Sequence, residues 1–312
     1  MCKFKCRFLA AFLTFGIGVL VIGIWRNLPV SENSTEPNYS QPAAYSDAQP
    51  PDLERHDPFL PERNSFLDCD EQNKINYQGV SFSCSSQFSS RIELLEFSKS
   101  PLQSEDDKPD YVHPSYISFE FRNKEENLER ESNYDKQISI YPTEEYGRMY
   151  SIDESYSQWF DEDIKSFKKL LSAKKAHKNT NTRFLEATDG SFEFKSHLKY
   201  LSFKNGKGVG FVTEIAMEPS IINNKELIWV FEGITNDGKY YILASFPVRA
   251  SFLPNTSTDE FEGYSSDNYE KLSKNNKKYV SLIKRRLDTF PANQFQPNLE
   301  NIEELISSLK IK

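Results

Sequence analysis

The chain has few of the residues that usually carry hydrolytic or metal chemistry. Its 312 residues include four histidines and four cysteines. No two histidines have the H-E-x-x-H spacing that sets a pair of imidazoles on one helical face, and no G-x-S-x-G stretch offers a strained nucleophile turn. Gly206, Gly208 and Gly210 resemble a phosphate-binding loop in spacing alone. No Lys-Ser/Thr follows them, and the run opens a strand where a phosphate loop opens a helix. The acidic loop "SEDDKPD" at 104–110 lacks the alternating ligands and distal Glu of an EF-hand. No catalytic set, metal site or cofactor is therefore expected from sequence.

Positive charge is also short. The chain carries −8 in total, and its first 26 residues hold Lys3, Lys5, Arg7 and Arg26 with no acidic residue, so the remainder carries −12 once those four are removed. An acidic body disfavours nucleic acid and anionic lipid headgroups as partners. The basic clusters Lys168-Lys169, Lys174-Lys175 and "KKYVSLIKRR" at 277–286 read as solvated helix faces.

Long apolar runs are absent except at the start. "FLAAFLTFGIGVLVIGIW", residues 8–25, follows Lys3, Lys5 and Arg7 and is just long enough to span a bilayer as a helix. The basic flank keeps the N-terminus in the cytoplasm and sends the rest across. The expected location is the inner (plasma) membrane, single-pass, with the domain in the periplasm or outside the cell. A cleaved signal peptide is the alternative, with Val21 and Gly23 small enough to flank the cut. Cys69 and Cys84 are the two cysteines beyond the apolar run, and in an oxidising compartment they are expected to form a disulfide. Closing a loop of about sixteen residues would stabilise the domain by roughly 3 kcal/mol in the chain-entropy picture.

Residues 27–65 contain seven prolines among Ser, Asn, Gln and Ala, a composition too poor in apolar surface to fold. The segment reads as an extended tether. The domain plan is thus a basic flank and signal-anchor at 1–26, a proline-rich tether at 27–65 and a folded domain at 66–312.

What the folded part does have is alternation. "WVFEGITNDGKYYILASFPV", residues 229–248, alternates apolar and other residues on two arms around Asn236-Asp237-Gly238, the signature of a hairpin. "FEFKSHLKYLSF" (192–203) and "GVGFVTEIAM" (208–217) join through Asn205-Gly206, giving a four-strand antiparallel meander. Earlier strands are expected in "INYQGVSFSC", "YISFEF" and "ISIY", while "RIELLEF" fits strand or short helix. Ile164, Phe167, Leu170 and Leu171 recur at helical spacing, so an amphipathic helix is expected near 156–173. Two more follow, capped by Asp267 and Asn298. The fold class is α+β, an antiparallel meander covered by amphipathic helices behind a transmembrane segment.

Four side chains stand out as a possible ligand or interaction face: His197, Glu232, Tyr240 and Tyr241. His197, between Ser196 and Lys199, is the best-placed isolated base, although a strand-face histidine is usually a satisfied one. Glu232 interrupts an aromatic and aliphatic run. It faces a cleft with Tyr240 or Tyr241, or it marks the wet face of the sheet, and the second is the commoner arrangement.

"KYLSFKNGKGVGFVTEIA", "NNKELIWVFEGITNDGKYYILASFPV" and "FQPNLENIEELISSLKI" resemble an uncharacterised family of exported or membrane-anchored bacterial proteins met in cyanobacteria and related lineages. The likeness covers roughly the last 125 residues and implies bacterial export; it implies no activity and no site residues. The function expected is a membrane-tethered extracytoplasmic binding or structural domain, whose partner is an envelope protein or a small ligand. The alternative is a cell-envelope hydrolase whose groups meet only in three dimensions.

Overall fold

The structure is a computed structural model that describes residues 61, 63–68, 73–83, 89, 91–100, 113–122, 132–149, 154–173 and 190–312. The N-terminal apolar run, nearly all of the tether, Cys69, Cys84 and the 104–110 loop lie outside the described residues, so the expectations placed on them are not addressed by it.

The chain enters as β1 (Arg63–Leu67), then a hairpin of β2 (Lys74–Tyr77) and β3 (Val80–Ser83), then β4 (Arg91–Phe97), β5 (Tyr116–Arg122) and β6 (Gln137–Pro142). Two helices follow, α1 (Thr143–Met149) and α2 (Glu154–Ala173). The second half is β7 (Ser191–Phe192), β8 (Ser196–Phe203), β9 (Gly206–Thr213), β10 (Ile215–Ala216), β11 (Ile228–Thr235) and β12 (Tyr240–Pro247). It closes with α3 (Tyr269–Thr289), α4 (Leu299–Ser308) and β13 (Lys310–Ile311).

Eight strands form one sheet in the order β1-β4-β5-β6-β12-β11-β9-β8, every neighbour antiparallel. The expected meander β8-β9-β11-β12 is present. A second run of hairpin-linked strands, β4-β5-β6, joins it along a single seam where Ile140 of β6 lies opposite Ile242 of β12. The stretch that fits strand or helix is strand β4. Gln78 and Gly79 make the β2–β3 turn, both with positive φ, 42° and 86°, which suits a two-residue hairpin link. The cap of α3 is Asn268, whose side chain accepts from the Lys271 amide, because Asp267 sits in a preceding 3-10 turn. Asn298 caps α4 as expected.

Both faces of the sheet are covered. On one side lie α3, α4 and a small sheet of β13, β3 and β2, whose apolar side chains share a core with Trp229, Phe231, Ile242, Ala244 and Phe246. On the other lies α2, which presents Phe160, Ile164, Phe167 and Leu171 to Val209, Phe211, Val230 and Tyr241. Consequently β11 is buried at all eight positions. A strand covered on both faces reads as a near-continuous apolar run, so the half-buried alternation expected of this arm does not hold for "WVFEGI".

The glycines of β9 have a packing reason. A Cβ at Gly210 would lie 2.5 Å from Trp229 Cζ2, and one at Gly208 would lie 2.4 Å from Phe231 Cζ and 2.2 Å from the Glu232 carbonyl. Trp229 and Phe231 stack in parallel, ring centroids 6.3 Å apart, across this glycine strip. The spacing that imitates a phosphate loop is a seat for two aromatic rings.

Candidate functional site

Successive residues of a strand point to opposite faces, so Glu232 points away from Trp229 and Phe231 and towards α2. It is not on a wet face: only 1% of it is accessible. Leu243 and Val209 lie directly opposite it on β12 and β9. Tyr241 is the diagonal neighbour on the same face. Burial raises the Glu232 pKa above the usual carboxylate range, the nearby charge of Lys195 and the Tyr241 hydroxyl oppose the rise, and Asp163 of α2 adds to it. Its Oε1 has no hydrogen-bond partner among the described residues.

Lys195 approaches from the segment between β7 and β8. It is half-buried, and burial lowers its pKa while Glu232 opposes the shift. Its Nζ lies 5.1 Å from the Phe192 ring centre and 4.9 Å from that of Phe211, and the two rings meet edge to face at 5.2 Å. Cation–π attraction from two rings holds an ammonium where little water reaches it. The site is thus an acid, a base and a phenol under one helix, with Lys195 on its solvent side.

Tyrosine packing extends the cluster towards β5. Tyr116 stacks on Tyr141 at 4.6 Å, Tyr141 lies 6.4 Å from Tyr241, and Phe167 of α2 closes on Tyr241 at 6.2 Å.

Of the four residues singled out from sequence, the fold brings together Glu232 and Tyr241 and separates the other two. Tyr240 points to the opposite face and packs half-buried against the α3–α4 core. His197 stands at a β-bulge with φ 50°. Its Nε2–H donates to the Leu287 carbonyl at 2.8 Å and its ring meets Phe295 edge to face, so it ties β8 to the end of α3.

A second buried carboxyl, Glu214, is not visible as a candidate in the sequence. Just past β9, it is 1% accessible and fully engaged: Ser220 donates to Oε1 at 2.9 Å and the Asn223 amide to Oε2 at 3.2 Å. Burial pushes its pKa up to about 8 against those hydrogen bonds, and the charges of Glu226 and Glu193 add to the rise. It organises the 214–224 loop, whose Ile222 amide donates to the Tyr279 hydroxyl at 3.0 Å. This carboxyl has a complete structural role. Sequence reading also missed Lys195; the one available signal was parity, since Lys195 alternates with buried Phe194 and Ser196.

No family model, curated protein or solved structure matches this chain.

Proposed function

We propose that the chain is a membrane-tethered extracytoplasmic domain that binds a small polar ligand between α2 and the sheet. The single observation behind this reading is Glu232, a buried carboxyl with an unpartnered oxygen beside a half-buried lysine. Burying such a group costs stability unless its bonding is completed. Glu214, in the same molecule, illustrates completion. A ligand carrying a hydrogen-bonding group, reaching Oε1 past Lys195, would complete Glu232. The tether and export parts of the reading rest on the apolar run, the proline-rich segment and the bacterial resemblance.

The test is native mass spectrometry of full-length protein extracted in mild detergent, with Glu232→Gln alongside. A small bound mass on the parent chain that is lost from the variant supports the reading. Equal spectra with no bound mass on either would sink it. The same extraction reports whether the N-terminus is intact or cut near Gly23.

One observation favours a second reading, the envelope hydrolase. A carboxyl with raised pKa beside a lysine with lowered pKa is the pairing that general acid–base chemistry uses. Under that reading, Glu232→Gln keeps the bound mass and abolishes turnover of a substrate found by screening envelope esters and glycosides. If no turnover is found, or turnover persists in the variant, binding alone stands.

A further inference from the structure

Lys195 shows which chemistry its surroundings accept. Its ammonium lies 5.1 Å from the centre of the Phe192 ring and 4.9 Å from that of Phe211, two rings set edge to face. Beyond it stands Glu232, 1% accessible, with Oε1 unpartnered among the described residues. Aromatic faces beside a carboxyl make a receptor for an ammonium group. Of the charged groups acting on Glu232, Lys195 opposes the rise in its pKa and Asp163 adds to it, so two carboxyls share one cation. That balance favours a further positive charge and repels a negative one.

The unpartnered atom narrows the choice. Oε1 of an ionised carboxyl is completed by a donor, and a ligand carboxylate or phosphate only accepts. A hydroxyl or an amide donates but gains little from the two rings. An alkylammonium does both, donating to Oε1 while Phe192 and Phe211 hold its charge. Lys195 is an imperfect occupant by comparison. It stands between β7 and β8, outside both strands and half-buried, burial lowers its pKa, and Oε1 stays unpartnered with its ammonium in place. Its four-carbon stem is long and flexible enough to carry the head out to water.

We propose that the ligand of the site under α2 is a primary alkylamine in its ammonium form, which displaces the Lys195 head from Phe192 and Phe211 and donates to Glu232 Oε1. Lys195 is then an internal competitor, and it lowers the apparent affinity by the fraction of molecules in which it occupies the site. The inference rests on the ligand-binding reading of Glu232 and adds the class of the ligand to it.

The probe is n-propylammonium, which matches the lysine side chain beyond its Cβ, with propionate at equal ionic strength beside it. Thermal midpoints of the full-length protein in mild detergent are followed as each is titrated. The parent chain is expected to show a saturable rise with propylammonium and none with propionate. Lys195→Ala, freed of the competitor, should bind propylammonium about tenfold more tightly than the parent. Phe192→Leu should bind it about threefold more weakly, and Glu232→Gln about tenfold or more weakly. Binding to Lys195→Ala but not to the parent makes the lysine a fixed partner and overturns the proposal. A parent that responds to propionate overturns it too, as does a response that Phe192→Leu and Glu232→Gln leave unchanged. Should Lys195→Ala fail to fold, the parent and the other two variants still decide. The two readings fail separately: a bound mass lost in Glu232→Gln with no response to propylammonium keeps the binding site and sinks the amine, whereas no bound mass and no response sink both.

Discussion

Along β11, Trp229 and Phe231 point into one core, while Val230, Glu232 and Ile234 point into the other. The first is apolar throughout its ring contacts and so tightly fitted that β9 must supply glycine beneath the rings. The second holds a carboxyl, with a lysine and tyrosines around it. One strand therefore serves two purposes. The aromatic face specifies the fold, and the α2 face gives up some packing to hold charge. Two of the buried glutamates repeat the contrast, since Glu214 has its hydrogen bonds completed by the protein and the Glu232 Oε1 does not.

The hardest blow to this contrast should come from the aromatic face. Gly208→Ala puts a methyl against backbone and ring together and is expected to cost roughly 3 kcal/mol or more in urea unfolding. A cost under about 1 kcal/mol would mean the rings are not seated as described. Next, Glu214→Leu leaves the Ser220 hydroxyl and Asn223 amide without their acceptor, for an expected loss of about 3 kcal/mol.

Titration sharpens the comparison further. Glu214 holds its proton in the fold up to about pH 8, whereas in the unfolded chain it ionises near 4.3. The folded state thus binds more protons across that window. Stability is full below the lower value and falls as pH rises towards the upper one, at up to about 1.4 kcal/mol per pH unit for this group. Denaturant midpoints measured from pH 4 to 9 should fall accordingly, and Glu214→Gln should make the fall shallower, leaving the share that the raised Glu232 carboxyl contributes. The smallest effect belongs to the α2 face. Replacing both partners, Lys195→Met with Glu232→Leu, should leave stability unchanged or raise it by about 1 kcal/mol while abolishing the bound mass. A loss of several kcal/mol would instead make the pair structural.

Alternation and turn chemistry made the right half of the sheet legible: Asn236-Asp237-Gly238 and Asn205-Gly206 sit at the hairpins they signal. The period of Ile164, Phe167 and Leu171 likewise gave α2 its buried stripe. What the residues could not reveal was that α2 covers the sheet from the side opposite α3 and α4. With one covered face Glu232 would be wet; with two it is buried, and nothing local to β11 distinguishes the cases. Lys195 was obscure for the same reason, because its partner lies 37 residues away in sequence and becomes a neighbour only through β9.

The seam between β6 and β12 has a consequence in time. Within each half of the sheet most pairings join strands close in the chain, but Ile140 must meet Ile242 across about a hundred residues, and contacts of such separation form slowly. Tyr241 sits on that seam opposite Tyr141, so the Tyr141 and Tyr116 rings reach it only when the halves are zipped. Each half can gather early, but the tyrosine stack across the seam is assembled last, and a molecule stalled there would have most of its strands without it.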